Sequence, residues 1–245
     1  MNQTQINHSP ELLHDNRRLM QNLFKVQEEE RRLLSRELHD ELGQWLTAIY
    51  AESEIISRQT SQDSSLYASS QAINECVQEI HKVIHGMLRQ LRPVLLDTLG
   101  LADALYELKK HWSSYHPHVS FDFKLIGNLD KLSESTNITI FRIVQEALNN
   151  ICSHAEATQA KVCLSYEAGK TPATDYLSLW VEDNGKGYEV DQVSNGLGLL
   201  GMRERTIAAG GEFAVYSAPN DGTQIQVKLP LNPLSTNPNR RHDDH

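Results

Sequence analysis

The protein has 245 residues, of which 39% are hydrophobic, and its formal net charge at pH 7 is −9. This length and apolar content are enough to bury the cores of two modest domains. Direct binding to nucleic acid or to an anionic membrane surface is not expected, because both need clustered Lys and Arg side chains and the sequence has no long basic run.

The cysteines and the start of the sequence predict a cytoplasmic protein. Cys76, Cys152 and Cys163 form no CxxC pair and cannot all pair with one another, which is typical of a reducing compartment. The first residues lack the apolar core of a signal peptide, and there is no run of about 18 apolar residues that would predict a transmembrane helix. We therefore expect no membrane span in this chain.

The first predicted element is a long helix. Leu12, Leu19, Val26 and Leu33 recur every seven residues, which is the spacing of a coiled coil. The helix is predicted to continue to about Arg58, but its apolar stripe changes phase near residue 30. The second part of the stripe consists of Leu34, Leu38, Leu42, Trp45 and Ile49. Residues 1–32 are accordingly predicted to form an N-terminal coiled-coil helix.

A second amphipathic helix follows the polar turn at residues 59–65. Its apolar residues alternate in steps of four and three from Ile73 to Leu91, just before Pro93. Two such helices joined by a short loop form a hairpin, and a hairpin with a continuous apolar seam usually completes a four-helix bundle by dimerising. We predict a homodimer whose dimerisation domain is residues 33–94.

The remaining sequence mixes α and β patterns and predicts a second domain at residues 95–231. Predicted helices lie near 101–113, 133–154 and 199–209, and predicted strands lie near 119–125, 159–166, 176–182, 212–217 and 223–230. This alternation predicts an α/β sandwich, with a mixed sheet covered on one face by helices. The fold class is thus α+β multidomain. The tail at 232–245 is expected to be disordered.

The segment ELHDELGQ places a histidine beside the apolar stripe of the first helix. Each residue turns a helix by about 100°, so His39 lies about 100° round from Leu38, on an accessible flank. Asp40 and Gln44 lie at about 200° and 240° and face solvent. An imidazole attacks phosphorus only through an unprotonated nitrogen, and a neighbouring carboxylate such as Asp40 holds the required tautomer. Taken alone, however, such a histidine is usually an ordinary surface residue.

A glycine stands one turn beyond this histidine. Gly43 costs about 1 kcal/mol relative to alanine in a helix interior. One reason for accepting this cost is room for a nucleotide or a partner protein beside His39.

The predicted helix at 133–154 carries a polar face in its second half. Glu146, Asn150 and His154 follow one another at four-residue intervals. Carboxylate and amide oxygens one turn apart suit a hard cation such as Mg²⁺. An ordinary solvated helix face is the alternative interpretation of this pattern.

Glycine-rich segments follow the third predicted strand. In VEDNGKG, Asp183 is placed to accept a hydrogen bond from an adenine amine, while Gly185 and Gly187 permit a tight turn. The segment NGLGLLGMRER supplies three more glycines before a helix, so that free backbone N–H groups can bind phosphates. Those glycines are Gly196, Gly198 and Gly201, and Thr223 begins the last strand. Each signal is weak alone, but their combination in this order is strong.

Together these segments resemble the sensor histidine kinases that partner NarL-type response regulators, the group of the nitrate sensors, DesK and the sugar-phosphate sensors. ELHDELGQ resembles the phospho-acceptor box of that group, and the ATP-domain segments resemble its N, G1 and G2 boxes. The similarity covers about residues 25–231. It implies a helical dimerisation domain followed by an ATP domain of the type shared by gyrase, Hsp90, histidine kinases and MutL.

The resemblance also implies roles for individual residues. It makes His39 the acceptor of the γ-phosphoryl group of ATP, Asp40 its assisting base and Gln44 the residue that positions water for dephosphorylation of the regulator. It assigns Glu146 and Asn150 to Mg²⁺, Asp183 and Thr223 to the adenine pocket, and Gly185, Gly187, Gly196, Gly198 and Gly201 to the nucleotide.

Two alternatives to a kinase remain at this point. One is a non-catalytic dimeric scaffold that binds ATP, and the other is an ATPase or a serine kinase that shares only the ATP fold. The sensor and transmembrane segments of the group are missing from this sequence. The chain is therefore expected to be either a fragment of a membrane sensor or a soluble kinase that receives its signal from an upstream sensor protein.

Overall fold

The computed structural model of the protein describes residues 10–91, 96, 99–130, 132–169, 171, 174–189 and 197–231. The predicted tail at 232–245 lies outside these residues. The chain divides into two compact units, one consisting of Leu23–Asp97 and the other of Met1–Asn22 together with Thr98–His245. In the part of the chain that the structure describes, no helix is long and apolar enough to cross a lipid bilayer.

A hairpin of two long helices dominates the first unit. Helix α1 spans Pro10–Gln59 and helix α2 spans Ser65–Leu91; the part of α1 before Leu23 is assigned to the other unit. Ser64 ends the turn between them, where its hydroxyl accepts a hydrogen bond from the backbone of Tyr67 at 3.1 Å. This is the usual role of a serine that caps the N-terminus of a helix.

The inner face of the hairpin is mostly polar. Ser53 donates a hydrogen bond to the Ser70 carbonyl at 2.8 Å, and the Asn74 amide donates to the Glu54 carboxylate at 3.1 Å. Leu46 and Val77 are the buried hydrophobic side chains of this unit on α1 and on the described part of α2. The other buried side chains on α1 and on the described part of α2 are polar: Glu28, Ser35, Ser53, Ser70 and Asn74.

The stripe that the sequence suggested as buried is exposed within the single chain. Trp45 is 69% exposed, Ile49 46% and Leu34 41%. The buried Leu46 lies about 80° round the helix from Leu38, so the hairpin interior is on a different face from this stripe. We name Leu34, Leu42, Trp45 and Ile49 the outer stripe. An exposed apolar stripe of this length is typical of a surface that another chain covers.

The second unit contains a layer of helices and a layer of strands. Its elements in chain order are α3 (Gly100–Tyr115), β1 (Ser120–Ile126), α4 (Glu134–Asn150), a π-helical turn (Ile151–Ala155), β2 (Gln159–Glu167), β3 (Tyr176–Asp183), α5 (Leu197–Ala208), β4 (Glu212–Ser217) and β5 (Thr223–Pro230). The strands form one sheet in the order β1-β2-β3-β5-β4. The β1–β2 pair is parallel and the others are antiparallel, so the sheet is mixed.

The sheet is buried on one face. In β3, Leu177, Leu179 and Val181 are buried while the residues between them are more exposed, as expected for a strand with one face against a core. Helix α4 supplies Ile140, Phe141, Val144 and Leu148 to this core. The predicted sandwich, with helices on one face of a mixed sheet, is confirmed.

Helix α4 differs from its prediction at its C-terminal end. It begins after Ser133, whose hydroxyl accepts the Thr136 N–H at 3.1 Å. The α-helical hydrogen bonding ends at Asn150 rather than at His154, and a π-helical turn follows. A π-helical turn winds less per residue than an α-helix, so residues beyond Asn150 leave the face that an unbroken helix would give them.

Candidate functional site

A row of three side chains crosses one end of the sheet. Asp183 of β3 lies opposite Thr223 of β5, which in turn lies opposite Ser217 of β4. The alternation that buries Leu179 and Val181 also places Asp183 on the buried face, and Asp183 is only 7% exposed. We name Asp183, Thr223 and Ser217 the polar row.

The Asp183 carboxylate accepts hydrogen bonds from backbone N–H groups. The Gly185 N–H donates to it at 2.8 Å, and the Thr223 N–H also donates to it. Burial raises the pKa of Asp183 above its ordinary value; the Gly185 and Thr223 donors lower it, the charge of Glu182 raises it, and the net change is upward. A buried carboxylate with a raised pKa at the end of a sheet is a candidate ligand-binding group.

The turn after β3 is tied to two neighbouring segments. The Lys186 N–H donates to the Ala155 carbonyl at 2.8 Å, which joins the turn to the end of the π-helical turn. The Asn220 N–H donates to the Lys186 carbonyl at 2.6 Å, which joins it to the β4–β5 hairpin. Lys186 also makes a 2.8 Å ion pair with Glu156 at the surface. These bonds hold the turn at the same end of the sheet as the polar row.

The glycines of this turn have no room for a side chain. A Cβ atom on Gly185 would lie 2.2 Å from the Ala155 carbonyl oxygen, and one on Gly187 would lie 2.0 Å from the Ala218 carbonyl oxygen. Gly222 has a φ of +68°, and a Cβ there would lie 2.0 Å from the Asp183 carbonyl oxygen. The predicted need for glycine at Gly185 and Gly187 thus has a steric cause, and Gly222 joins them.

Glu146 and Asn150 meet the first turn of α5. Both side chains are half-buried. A Cβ on Gly198 would lie 2.2 Å from Glu146 Oε1 and 3.5 Å from Asn150 Nδ2, so the α5 backbone runs directly against them. One carboxylate and one amide suit Mg²⁺, which in proteins usually takes one or two side-chain ligands and completes its shell with water and phosphate oxygens. The donor set therefore fits a Mg²⁺ ion that arrives with a nucleotide.

His154, which was predicted to share the face of Glu146 and Asn150, and two of the predicted nucleotide-binding glycines are found elsewhere or lie outside the described residues. His154 is exposed in the π-helical turn, beyond the α-helical face of Glu146 and Asn150. Gly201 lies inside α5, where a Cβ would meet no atom within 4 Å. Gly196 lies outside the described residues. Over those residues, no cluster of three or more His, Cys, Asp or Glu side chains could hold a metal ion.

The predicted phospho-acceptor segment belongs to the other unit. His39, Asp40 and Gln44 are all exposed on α1, as the helical angles predicted. Among the described residues, a Cβ on Gly43 would meet no atom within 4 Å, so the helix surface at Gly43, one turn after His39, has open space.

Two residues of the site carried no clear signal in the sequence. Ser217 accepts the Tyr188 N–H at 3.0 Å, donates to the Gly222 carbonyl at 2.7 Å and contacts the Thr223 hydroxyl at 3.1 Å. The buried hydroxyl of Tyr188 has no hydrogen-bond partner among the described residues. The pKa of Tyr188 is raised by burial and, to a smaller extent, by the Asp183 charge.

Models of known protein families match residues in both units. A family model described as "Histidine kinase" matches residues 30–97, and one described as "Histidine kinase-, DNA gyrase B-, and HSP90-like ATPase" matches residues 135–233. The histidine-protein kinase/phosphatase DegS of Brevibacillus brevis is 33% identical over 222 residues, which are 85% of this chain and 53% of the relative. The kinase/phosphatase UhpB of Salmonella typhimurium is 34% identical over 215 residues, 88% of this chain and 41% of the relative.

The chain spans about half the length of the curated relatives it matches. Among solved structures, the histidine kinase domain of the blue-light activated kinase EL346 from Erythrobacter litoralis is similar with a TM-score of 0.47 and 17% identity. That similarity covers 77% of this chain and 94% of the other.

Proposed function

We propose, on the premise that this chain belongs to the histidine kinase family of two-component signal transduction, that it transfers the γ-phosphoryl group of ATP to its own His39. A response regulator of the NarL type then receives the phosphoryl group on an aspartate. The observation that best supports this proposal is the close approach of Gly198 to Glu146 and Asn150, because it brings a helix N-terminus and a magnesium-type donor pair together.

In this proposal the polar row holds the base of ATP. The Asp183 carboxylate accepts a hydrogen bond from the adenine amine, and Thr223 lies beside it in the next strand. Gly185 and Gly187 would hold the turn beside the nucleotide, because the Ala155 and Ala218 carbonyl oxygens leave no room for a side chain at either position. The first turn of α5 offers free N–H groups to the phosphates.

Glu146 and Asn150 would hold Mg²⁺ through their side-chain oxygens. When bound there, Mg²⁺ neutralises negative charge on the phosphates. Glu146 and Asn150 are fixed by their place on α4, which is anchored in the core by Ile143 and Leu148. Phosphoryl transfer depends mainly on such positioning and on charge neutralisation.

His39 is the proposed nucleophile. Its unprotonated ring nitrogen attacks the γ-phosphorus; an N–P bond forms while the bond from phosphorus to the bridging oxygen breaks, and ADP leaves with those electrons. Asp40 accepts the N–H of the other ring nitrogen, which stabilises the positive charge that develops on the imidazole. Gln44 is proposed to act in the reverse task, where it orients water towards the aspartyl phosphate of a docked regulator.

The chain is proposed to work as a homodimer in the cytoplasm, where ATP and response regulators are found. The outer stripe supports the dimer, because Trp45 and its apolar neighbours are exposed in the single chain. We propose residues 33–94 as the dimerisation domain and residues 95–231 as the ATP domain. The input signal is proposed to come through the N-terminal helix at residues 1–32 or from another protein.

Incubation with radiolabelled ATP tests the proposal. The wild-type chain should gain an acid-labile phosphoryl label. The His39→Gln variant should gain no label, although it should bind ATP with nearly the same affinity. A label that is stable to acid would instead support a serine kinase. ATP binding without any label would support a scaffold, and release of phosphate without label on the protein would support an ATPase.

A further inference from the structure

The hydroxyl of Ser217 has all its hydrogen-bonding capacity in use. A serine hydroxyl has one proton to donate and two lone pairs that accept. Its proton must point to the Gly222 carbonyl at 2.7 Å, because a carbonyl oxygen can only accept. One lone pair accepts the Tyr188 N–H at 3.0 Å. A single lone pair of Ser217 remains for Thr223, whose hydroxyl lies 3.1 Å away.

This accounting determines which way the Thr223 hydroxyl points. Since Ser217 has no second proton, Thr223 must donate its own proton in the contact between the two hydroxyl groups. The Thr223 oxygen then offers only lone pairs to its remaining surroundings. A threonine that is free to rotate could offer either a donor or an acceptor to a ligand, and the contact with Ser217 removes that freedom.

Thr223 and Asp183 therefore present the same hydrogen-bonding character. They face each other across β3 and β5, and the Asp183 carboxylate is an acceptor in its ionised form. Two adjacent acceptors favour a base that carries an amine at this position and disfavour a base that carries a carbonyl oxygen, because two acceptors that meet leave both groups unpaired. Adenine carries an amine here and guanine carries a carbonyl oxygen.

We propose that Ser217 is a positioning residue that selects adenine over guanine nucleotides by fixing the hydroxyl of Thr223 as an acceptor. Ser217 acts through Thr223 and touches no part of the nucleotide itself. This inference rests on the proposed function, since it needs the polar row to hold the base of ATP.

The test compares the affinities of the full-length chain for Mg·ATP and Mg·GTP by titration calorimetry. In Ser217→Ala the Thr223 hydroxyl regains its rotation and can donate to the carbonyl oxygen of guanine. The preference for ATP over GTP should fall about tenfold, equivalent to about 1.4 kcal/mol. Ser217→Thr retains the hydroxyl and should retain the preference. Ser178→Ala is the matched control, because Ser178 lies in the same sheet on β3 and its hydroxyl accepts from the Trp180 indole at the exposed face.

A double-mutant cycle separates this role from a general structural one. Thr223→Val removes the hydroxyl and should lower the preference on its own. Adding Ser217→Ala should lower it no further, because Ser217 acts only by orienting a hydroxyl that Thr223→Val has already removed. If Ser217→Ala folds poorly, Thr223→Val and Ser217→Thr still test the proposal. Thr223→Val should lower the preference for ATP over GTP, and Ser217→Thr should keep it. Equal weakening of ATP and GTP in Ser217→Ala, with the preference unchanged, would overturn the inference and leave the proposed function intact. A wild-type chain that binds neither nucleotide would overturn both.

Discussion

Asp183 and Thr223 lie directly opposite each other on β3 and β5, and the backbone N–H of Thr223 donates to the Asp183 carboxylate. The hairpin before Thr223 turns at Gly222, which packs against the Asp183 backbone where no side chain fits. The orientation of the carboxylate thus depends on the pairing of two strands that are far apart in sequence. Changes at either end of this pair are expected to affect nucleotide binding and stability in different ways.

Replacing Asp183 with asparagine should raise the stability of the fold and weaken the binding of ATP. Because burial raises the pKa of Asp183 above the ordinary 3.8, this group stabilises the fold fully below the ordinary pKa and loses that contribution as pH rises through the raised pKa. An asparagine side chain does not titrate, so the melting temperature of Asp183→Asn without nucleotide should rise relative to wild type as the pH increases from about 4 through the raised pKa of Asp183. ATP affinity at neutral pH should fall at least about tenfold. A difference in melting temperature that does not change with pH would contradict the assigned shift.

Replacing Gly198 with alanine should impair phosphorylation without unfolding the protein. The added methyl group meets Glu146 Oε1, and the flexible end of that side chain can move away from its Mg²⁺ position. Because alanine favours a helix by about 1 kcal/mol over glycine, thermal stability should stay equal or rise. Phosphorylation of His39 should need a higher Mg²⁺ concentration, which a Mg²⁺ titration measures. Gly86→Ala, at a helical glycine with open space around it, should leave the Mg²⁺ dependence unchanged.

Gly43 offers a test of whether space beside His39 matters. Gly43 and Gly86 both lie inside long helices, and a Cβ at either position meets no atom within 4 Å. Alanine at each should therefore stabilise the hairpin by about 1 kcal/mol, as denaturant unfolding would show. Only Gly43→Ala should slow phosphorylation of His39 or transfer to the regulator. The rate should fall by about fivefold or more, because the methyl group would overpack the surface where the nucleotide or the regulator approaches His39. Equal rates in the two variants would mean that Gly43 has no such role.

Gln44→Ala should affect the phosphatase reaction alone. Gln44 lies about 140° round α1 from His39, so it is not placed to assist the imidazole, but it shares a helix stripe with Asp40. The variant should keep autophosphorylation and transfer while its dephosphorylation of the regulator slows by about a hundredfold. Asp40→Ala should instead impair autophosphorylation. Decay of purified phospho-regulator is the measurement, and Gln78→Ala, at an exposed glutamine of α2, is the control. Undiminished acceleration of that decay by Gln44→Ala would refute the assignment.

Trp45 provides the test of the proposed dimer. Its side chain is 69% exposed at the centre of the outer stripe, and a charge there should oppose association. Light scattering at micromolar concentration should show a dimer for wild type and a mass close to one chain for Trp45→Glu. Trp180 is 43% exposed on the open face of the sheet in the other unit, so Trp180→Glu should remain dimeric. A monomeric wild type would remove the basis for the proposal.

Local sequence patterns predicted the residues whose positions depend on one element. The burial of Asp183 follows from strand alternation, and the shared face of Glu146 and Asn150 follows from helical spacing. Ser217 was missed because its contacts depend on the register between β4 and β5, which no local pattern reveals. The π-helical turn was missed as well. The α-helical spacing of apolar residues in α4 continues as far as Ile151, the first residue of the turn, so the sequence shows no break there.

The helical hairpin was predicted in outline, but its interior was not. Heptad spacing identified the outer stripe because large apolar residues dominate such patterns. The residues that actually pack inside the hairpin include Ser35, Ser53 and Ser70, which no hydrophobic pattern selects. The sequence thus predicted which helices form, and only the structure shows which of their faces meet.

The polar interior of the hairpin affects how the protein folds. Serine and asparagine contacts such as Ser53 to Ser70 contribute little net free energy, and a lone pair of helices with few buried leucines has little to offset its conformational entropy. In the proposed dimer, most of the apolar burial of this unit would then be gained when two chains associate. Its refolding should accordingly follow second-order kinetics, with the chain completing its helices as it meets its partner.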